Sequence, residues 1–323
     1  MTASPPAMIR FGSLHGRLES ARQEYTDALA LVFGVGLHPL TPEQEADRHF
    51  DLVIVDGSAP LVGDNGSGVR PNFLTLGGTP ERPTMSTEAL RAELDLTREP
   101  WDIRLTVLRN DLDFPTLCVH FGVIIHKALF HLDRVILHAA AVDVDGEVCL
   151  FVGDKGAGKS TTCLALARAG GTVLGEDQVI LHRSGTRYLV SGSDERSRVT
   201  ERTERHFFPE PLAVPARDFA GTMKKEIRRG EFFRSAPFQD FPPHRLLFPR
   251  VTGRFQLTRL KAQSALVRML AYNGHFQRFE GARDQADFLG FLSGFITSVS
   301  CWELELSENL AELDTLALKL RGG

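Results

Sequence analysis

Hydrophobic and polar positions alternate with two different periods along the chain, and these periods mark the predicted elements. Short alternating or apolar runs predict β-strands, and longer runs with an apolar residue every three or four positions predict α-helices. In the first part of the chain, the predicted strands are Met8–Gly12, Phe50–Asp56 and Asp102–Leu108, and the predicted helices are Leu18–Phe33 and Thr116–Leu132. Residues 58–83 are rich in Gly, Pro and Asn, which favours a loop or a meandering edge strand. We therefore expect residues 1–131 to form a smaller α/β domain, with substrate recognition as its candidate role.

The second part of the chain begins with a predicted β-hairpin. Val135–Asp143 and Glu147–Val152 are apolar runs that flank Asp145-Gly146, a dipeptide typical of two-residue hairpin turns. Further predicted strands are Thr172–Leu181, Leu246–Phe248, Phe255–Leu257 and Trp302–Leu306, and further predicted helices are Thr161–Ala169, Ala262–Ala271, Asp284–Thr297 and Ala311–Leu320. Residues 184–245 are charged and Pro-rich, with few clear periods. The predicted fold class is mixed α/β (α+β), with a second domain over residues 132–323.

The composition is that of a globular protein that can bury a large core. The chain has 323 residues, of which 42% are hydrophobic and 24% charged, and its net charge is −4. This negative balance argues against nucleic acid as a partner. The 4 cysteines lack the spacing of metal or redox sites. The first residues lack the features of a signal peptide, and no apolar run is long enough to cross a bilayer, so we expect a cytoplasmic protein with no membrane partner.

A glycine-rich segment gives the strongest chemical signal in the sequence. Phe151–Thr162 matches the phosphate-binding pattern G-x-x-x-x-G-K-[ST], with a predicted strand before it and a predicted helix after it. The glycines let backbone N–H groups point at phosphate oxygens, the lysine brings a positive charge to the terminal phosphates, and the next hydroxyl can ligate Mg²⁺. The predicted nucleotide-binding residues are Gly153, Asp154, Lys155, Gly156, Ala157, Gly158, Lys159, Ser160 and Thr161.

Two adjacent acids and one histidine are candidates for the rest of the chemistry. Glu176 and Asp177 end the strand expected beside the glycine-rich loop, where one acid could ligate Mg²⁺ and the other prepare a hydroxyl. The alternative is a strand end closed by two solvated acids. His138 lies in the apolar strand before the hairpin, where a satisfied core histidine is the alternative to a functional one. The candidate catalytic residues are His138, Lys159, Glu176 and Asp177, and the candidate metal ligands are Ser160 and Asp177.

The order of these residues resembles the catalytic domain of HPr kinase/phosphorylase and, more distantly, phosphoenolpyruvate carboxykinase. The shared pattern is a strand with His, a Gly hairpin, a strand, the phosphate loop, a helix, a short strand and an acidic pair. Here His138, Asp145-Gly146, the glycine-rich loop and Glu176-Asp177 carry it. The resemblance covers residues 132–183 well and Leu246–Leu320 more loosely. It implies a carboxykinase-like, β-rich core around the loop, unlike that of ordinary P-loop NTPases.

The resemblance also implies a role for each candidate. Glu176 lies where the family has the aspartate that acts as base towards the substrate hydroxyl, and Asp177 lies where a second aspartate arranges metal and phosphate. His138 lies at the family's active-site histidine. The family's glycine-rich signature is missing at its expected distance, and only Glu226–Gly230 is similar to a fragment of it. The long N-terminal part and the missing signature resemble the relatives that phosphorylate a serine on precursors of ribosomally made peptides, such as lasso peptides.

The segment after the acidic pair contains two groups of basic residues. The densest cluster lies within Gly221–Gly230 and consists of Lys224, Lys225, Arg228 and Arg229. It is interpreted either as a mobile lid that brings positive charge to a transferring phosphoryl group or as a solvated helix face. A second group alternates with acids and is interpreted as a mixed-charge surface; its members are Arg196, Arg198, Arg202 and Arg205.

The leading hypothesis is a kinase that uses ATP and Mg²⁺ to phosphorylate a serine-type hydroxyl of a peptide or protein. Lys159 and the loop amides would hold the triphosphate, Ser160 and Asp177 the metal, and Glu176 would prepare the hydroxyl. Two alternatives remain open: a kinase for a small-molecule hydroxyl, and a nucleotide-binding regulatory protein without transfer activity. The sequence leaves the oligomeric state open, a homo-oligomer included.

Overall fold

The computed structural model describes residues 4–33, 37–39, 41–57, 74–109, 111–218, 221–274 and 281–321. Contacts between residues divide the chain into two compact units. The first unit is Met1–Val135 with Phe276–Phe288, and the second is Ile136–His275 with Leu289–Gly323. The fold is mixed α/β, and the strands of the described residues form four sheets. The division into domains 1–131 and 132–323 stays a prediction.

The first unit is built on one mixed sheet. Its strands are β1 (Ser4–Phe11), β2 (Leu14–Ser20), β3 (His38–Pro39), β4 (Phe50–Asp56), β5 (Thr75–Gly78), β6 (Pro83–Ser86), β7 (Leu90–Asp95) and β8 (Trp101–Val107). In the described ranges their order is β3-β1-β2-β4-β8-β7-β6-β5, with β2–β4 and β4–β8 parallel. The helices of this unit are α1 (Gln23–Phe33), α2 (Pro42–Ala46) and α3 (Phe114–His131), followed by the start of α7 (Ala282–Ser298).

Alternating burial explains how this sheet forms and where its core lies. Along β4, Leu52 and Ile54 are buried while the residues between them are partly exposed, as expected when one face of a strand packs on a core. Helix α3 begins where the sequence places its start signals, because Asp113 accepts a hydrogen bond from the Thr116 N–H at 2.8 Å and Pro115 lies in the first turn. The buried sides of α1 and α3 pack against one another.

In this unit one prediction is wrong, two strands were not predicted, and one predicted segment lies partly outside the described residues. The helix predicted from Leu18 begins only at Gln23, because Leu14–Ser20 alternates between buried and partly buried positions as strand β2. The strands β6 and β7 were not predicted. Of the segment predicted as a loop or edge strand, residues 58–73 lie outside the described residues, and Thr75–Gly78 forms the edge strand β5.

The second unit contains the remaining strands and helices. Its strands are β9 (Arg134–Leu137), β10 (Ala139–Val144), β11 (Glu147–Val152), β12 (Thr172–Gly175), β13 (Val179–Ser184), β14 (Arg187–Gly192), β15 (Arg196–Val199), β16 (Ala216–Asp218), β17 (Met223–Arg228), β18 (Pro243–Val251), β19 (Gln256–Arg259) and β20 (Ser300–Leu306). Its helices are α4 (Lys159–Arg168), α5 (Glu201–Phe207), α6 (Ala262–Asn273) and α8 (Leu316–Arg321), with 3₁₀ turns at Arg229–Glu231 and Leu310–Thr315. The end of α7 also lies here.

Three sheets organise this unit. In the part of the chain that the structure describes, their orders are β12-β10-β11-β18-β20-β19, β14-β13-β9 and β15-β17-β16. Helix α4 packs on the first of them, and its apolar side joins a buried core that includes Phe151, Leu164, Leu247 and Leu306. Because β11 lies inside this sheet and runs into α4, the loop between them is held at the edge of a rigid layer.

The hairpin predicted at Asp145-Gly146 is confirmed. Strands β10 and β11 pair antiparallel from Ala139↔Val152 to Val144↔Glu147. Asp145 and Gly146 have φ of 56° and 87°, so both adopt the left-handed conformation that a tight hairpin turn requires. The single strand predicted over Val135–Asp143 is wrong in one respect, since the chain bends at His138 and its two halves enter different sheets.

No helix within the described ranges is long and apolar enough to span a bilayer.

A buried ion pair allows a test of how α7 begins. Lys127, only 3% exposed, binds the carboxylate of Asp284 at the start of α7. Asp284→Ala leaves this ammonium group buried without its carboxylate, so the free energy of unfolding should fall by about 3–5 kcal/mol. Urea denaturation measures the loss. The exposed Asp287→Ala on the same helix is the control and should change stability by less than about 0.5 kcal/mol. Equal small effects of both substitutions would contradict the pairing.

Candidate active site

The glycine-rich loop connects β11 to α4, as predicted. Gly156 and Gly158 have φ of 86° and 102°, a conformation that side chains with a Cβ rarely adopt. A Cβ on Gly158 would also lie 2.8 Å from Leu306 Cδ1. Glycine is therefore required at this position both by backbone conformation and by the close approach of β20. The strand, the loop and the helix predicted from the sequence are confirmed, whereas binding of phosphate stays a prediction.

Lys159 begins helix α4 and folds back over the loop. Its Nζ donates to the Gly153 carbonyl at 2.6 Å and to the Asp154 carbonyl at 3.0 Å. Burial lowers the pKa of Lys159, and the nearby carboxylates of Asp177 and Asp154 oppose that effect. The N–H groups of the first turn of α4 have no partner within the helix, so this end is suited to anions.

The loop opens onto a cavity of about 510 Å³. Most of the predicted site residues line this cavity: His138, Asp154, Lys155, Gly156, Gly158, Lys159, Ser160, Thr161, Glu176 and Asp177. Gly153 and Ala157 do not line it. The Gly153 carbonyl accepts a hydrogen bond from Lys159, and the Ala157 N–H donates to the Asp154 carbonyl at 3.2 Å. Both residues therefore stabilise the loop without lining the cavity.

Glu176 is a buried acid that lines the cavity. The residue is 3% exposed, and burial raises the pKa of its carboxyl group. The hydroxyls of Ser197 and Ser160 and the charge of Arg229 act in the opposite direction. Among the described residues, the Oε2 atom of Glu176 has no hydrogen-bond partner. A buried carboxylate oxygen without a partner is costly, and it is the kind of atom that a cation would satisfy.

Asp177 is more exposed than Glu176 and has a different environment. Its φ is 72°, and this left-handed conformation turns the chain sharply between β12 and β13. His138 Nδ1 lies 3.1 Å from Asp177 Oδ1, and Arg198 donates to Asp177 Oδ2 at 2.8 Å. The hydrogen bond with His138 lowers the pKa of Asp177, and the charges of His138 and Arg198 lower it further. Asp177 is therefore held ionised between two cationic or hydrogen-bonding groups.

His138 is positioned by the bend between β9 and β10. Its backbone N–H donates to the Asn273 side-chain oxygen at 2.7 Å, at the last residue of α6. Its imidazole lies 3.0 Å from the Asp177 carbonyl as well as near the carboxylate. The imidazole is partly exposed and lines the cavity, so it is not a fully buried core histidine.

Arg196 and Arg198 form ion pairs with acids, as expected of a mixed-charge surface, but the sequence interpretation did not place them at the site. Both residues lie on β15 and line the cavity. Arg196 contacts Glu226 at 3.3 Å, and Arg198 contacts the same carboxylate at 3.4 Å in addition to Asp177. Their side chains point to one face of a strand because they alternate with the buried Ser197 and Val199. This period of two, Arg-Ser-Arg-Val, was the sequence signal that could have identified them.

The interpretation of Gly221–Gly230 as a helix face is wrong, because most of it forms strand β17. Its four basic residues have different surroundings. Lys224 lines the cavity, and Lys225 binds Glu204 at 2.8 Å and the Leu212 carbonyl at 2.8 Å. Arg228 lies 3.5 Å from Glu195 at the surface. The fourth, Arg229, is fully buried, so the cluster does not act as one unit.

Arg229 holds the start of β15 in place. Its guanidinium contacts the Asp194 carboxylate at 3.3 Å and donates to the carbonyls of Asp194 and Arg196. Asp194 lines the cavity and was not a predicted site residue. Burial raises the pKa of Asp194, and the charge of Arg229 opposes the shift. No local sequence pattern predicts this arrangement, since Arg229 and Asp194 are 35 positions apart.

The residues present can be tested for their fit to a divalent cation. Within the residues described, no group of three or more His, Cys, Asp or Glu could hold a metal ion. Nucleotide-bound Mg²⁺ does not need one, since it is held by one or two carboxylates together with phosphate oxygens and water. The Oε2 atom of Glu176, which has no hydrogen-bond partner among the described residues, and the Ser160 hydroxyl beside the carboxyl group are oxygen ligands of the kind that Mg²⁺ prefers. The donor set therefore fits Mg²⁺ bound jointly with phosphate.

Comparison with known proteins gives little further information. No model of a known protein family matches the chain. No curated protein matches it either. Among solved structures, the chain is similar to the HPr(Ser) kinase/phosphatase from Coxiella burnetii, with a TM-score of 0.29 and 11% sequence identity over 58% of this chain and 95% of that chain. A similarity this low carries no argument about activity, so the geometry of the site has to support any function.

The environment of Glu176 predicts a specific dependence of stability on pH. Because the folded protein holds a proton on Glu176 more tightly than the unfolded chain does, stability should fall as pH rises from the ordinary value of 4.5 through the raised pKa. Glu176→Gln removes this contribution. Urea denaturation between pH 4 and 8 should therefore show a steeper fall for the unaltered protein than for the variant. Parallel profiles would contradict a raised pKa at Glu176.

Proposed function

We propose that this protein is a kinase that transfers the γ-phosphoryl group of ATP, with Mg²⁺, to a serine-type hydroxyl of a peptide or protein. The observation that supports it best is one cavity that brings together the glycine-rich loop, Lys159, a buried acid and an acid bound to histidine. Phosphoryl transfer needs little covalent chemistry from a protein and depends mainly on positioning and charge, which such a set of groups supplies.

In this proposal the loop and the first turn of α4 hold the triphosphate. Backbone N–H groups at the start of α4 point at the phosphates, and the helix dipole favours their negative charge. Lys159 exchanges its two loop carbonyl partners for phosphate oxygens. The pKa of Lys159 is lowered because the ammonium group is buried without a directly bound anion. A bound phosphate group would raise this pKa again, because its negative charge stabilises the ammonium form.

The two acids divide the remaining work. Ser160 and Glu176 would hold Mg²⁺, which neutralises charge on the phosphates when it is bound. This proposal exchanges the roles of the two acids implied by the resemblance. Both oxygens of Asp177 already have partners in His138 and Arg198, whereas Glu176 Oε2 has none among the described residues. Asp177 is thus better suited to a substrate hydroxyl than to a metal.

Asp177 and His138 would prepare the hydroxyl. Asp177 orients it and accepts its proton as the hydroxyl oxygen bonds to the γ-phosphorus and the bond to the bridging oxygen of ADP breaks. The His138 hydrogen bond and the Arg198 contact fix the direction of the carboxylate. Because the pKa of Asp177 is lowered, its carboxylate is ionised over the physiological range and available for this role.

The finer assignment of the family is part of the same proposal. We infer a second domain of the HPr kinase-like, carboxykinase-like type in a cytoplasmic protein, close to the group that tailors ribosomally made peptides. The first domain would contribute to recognition of the substrate. The arguments are the order of motifs in the sequence and the bend at His138 that brings the histidine to the acidic pair.

Removal of the Lys159 ammonium group tests the function directly. Lys159→Ala should reduce ATP binding and phosphoryl transfer by at least about a hundredfold, because a charge aimed at the phosphates is lost. Calorimetry with ATP and Mg²⁺ measures binding, and transfer from labelled ATP to serine peptides or to small hydroxy compounds measures activity. Transfer to small compounds alone would identify the small-molecule alternative, and binding without any transfer would identify the regulatory one.

The matched control is Lys261→Ala, an exposed lysine that does not line the cavity. This variant should bind ATP like the unaltered protein. Circular dichroism and thermal unfolding establish that both variants remain folded. A folded Lys159→Ala protein that binds and transfers normally would remove the loop from the mechanism and overturn the proposed function.

A further inference from the structure

One face of the small sheet β15-β17-β16 carries an unusual excess of positive charge. Because side chains alternate along a strand and directly paired residues share a face, the register places five basic residues and one acid together. The acid is Glu226. We call the five basic residues the cationic face: Arg196, Arg198, Arg217, Lys224 and Arg228. This excess is notable because the whole chain has a net charge of −4.

Two like-charge pairs lie directly opposite one another in this sheet. Arg196 pairs with Arg228 between β15 and β17, and Arg217 pairs with Lys224 between β16 and β17. Like charges in directly opposite positions destabilise a sheet, because their side chains are close on the same face. Negative charge nearby would therefore stabilise each pair.

The first pair has its negative charge within the protein. Arg196 contacts Glu226 at 3.3 Å and Asp194 at 3.8 Å, and Arg228 contacts Glu195 at 3.5 Å. The pair is thus compensated by three carboxylates.

The second pair forms no ion pair with a carboxylate of the described residues, and the acid whose charge interacts with Lys224 is Asp177 in the cavity. Among the residues described, no side chain or backbone group forms a hydrogen bond or an ion pair with the ammonium of Lys224 or the guanidinium of Arg217. Lys224 is partly buried rather than extended into solvent. The next residue, Lys225, lies on the opposite face of the sheet and forms an ion pair with Glu204. Glu204 therefore does not neutralise the cationic face.

The position of this pair points to the acceptor. Lys224 lines the same cavity as the loop and Asp177, and its charge acts on both Lys159 and Asp177. Arg217 lies on the next strand, roughly 5 Å further out, and does not line that cavity. The pair thus begins at the cavity and continues to the outer strand β16 of the small sheet, outside the residues that line the cavity.

We propose that the hydroxyl acceptor carries its own negative charge, and that Arg217 and Lys224 bind an acidic group next to the hydroxyl that is phosphorylated. This inference rests on the proposed function and names its substrate class. An acidic peptide segment and a small hydroxy acid or sugar phosphate present the same chemistry to the pair. Both contain a carboxylate or phosphate near a hydroxyl, and binding relieves the repulsion between the two cations.

The experiment compares acceptors that differ only in charge. Three degenerate serine peptide mixtures, flanked by Glu/Asp, by Lys/Arg or by neutral residues, are measured for affinity in the presence of Mg²⁺ and a non-hydrolysable ATP analogue. They are then measured for transfer from ATP. Glycerate and glycerol phosphate against glycerol form the small-molecule arm. The acidic member of each set should bind and react at least about tenfold better than the basic or neutral one.

Charge reversal makes the test specific to the pair. Arg217→Glu with Lys224→Glu should turn the preference around, so that basic peptides bind more tightly than acidic ones. Lys261→Glu is the control, since it makes the same change of charge at an exposed position outside the cavity, and should leave the preference for acidic acceptors unchanged. Thermal unfolding checks that the double variant is folded, and Arg217→Ala alone replaces it if it is not; this variant should weaken the acidic preference.

The possible outcomes separate this inference from the proposed function. Failure of the unaltered protein to bind ATP would refute the proposed function. Normal ATP binding with equal affinity for acidic, neutral and basic acceptors would overturn the inference alone. A preference for acidic acceptors that survives charge reversal at Arg217 and Lys224 would also overturn it, because the recognition would then lie elsewhere.

Discussion

The buried carboxylate of Glu176 is the constraint on which the site depends. A charge with an unpartnered oxygen in a buried position opposes folding unless other groups compensate it. The neighbouring Ser197 and Ser160 hydroxyls and the charge of Arg229 lower the pKa of Glu176, but burial is the larger effect and raises it. A protein that needed only stability would gain from a neutral or apolar residue there. Under the proposed function, the acid is needed there because its Oε2 atom, which has no partner among the described residues, would bind the Mg²⁺ that accompanies the nucleotide.

The same buried region connects the loop to the small sheet. Arg229 acts electrostatically on Glu176 and holds the carbonyls of Asp194 and Arg196 at the start of β15. This contact fixes the strand from which Arg198 reaches Asp177. The surroundings of Glu176 and the strand that carries Arg198 are thus connected through one buried guanidinium group. A change at Arg229 would disturb both together.

Local sequence patterns were sufficient to predict the elements that carry the loop. The glycine positions, the Asp-Gly turn and the apolar run of β11 each impose a backbone conformation, so the hairpin, loop and helix follow from neighbouring residues. The approach of His138 to Asp177 could be expected only through the resemblance, because those residues are 39 positions apart. Arg196 and Arg198 were not predicted to line the cavity for a related reason, whereas Lys224 belongs to the basic cluster for which a role near the transferring phosphoryl group was one of two interpretations. The alternation in Arg196–Val199 indicates that both arginines share a face of a strand, but not which element that face meets, because β17 is distant in sequence.

The helix predicted from Leu18 was wrong because the local pattern fits two kinds of element. Apolar residues at Leu14 and Leu18 are compatible with a helical period, yet they also alternate in a strand, and pairing with β1 and β4 selects the strand. Partners that are distant in sequence decide such cases. The interpretation of Gly221–Gly230 as a helix face was wrong for the same reason, since strand pairing, not helical spacing, determines which of its charges face the cavity.

The most direct test of the account is the metal dependence of nucleotide affinity, measured by calorimetry with ATP in the presence and absence of Mg²⁺. The account predicts that Mg²⁺ increases the affinity of the unaltered protein and that Glu176→Gln abolishes the increase while metal-free ATP binds with similar affinity to both proteins. Asp177→Asn should keep the increase, because its oxygens are already occupied by His138 and Arg198. An undiminished effect of Mg²⁺ on the Glu176→Gln protein would contradict the role of the buried carboxylate.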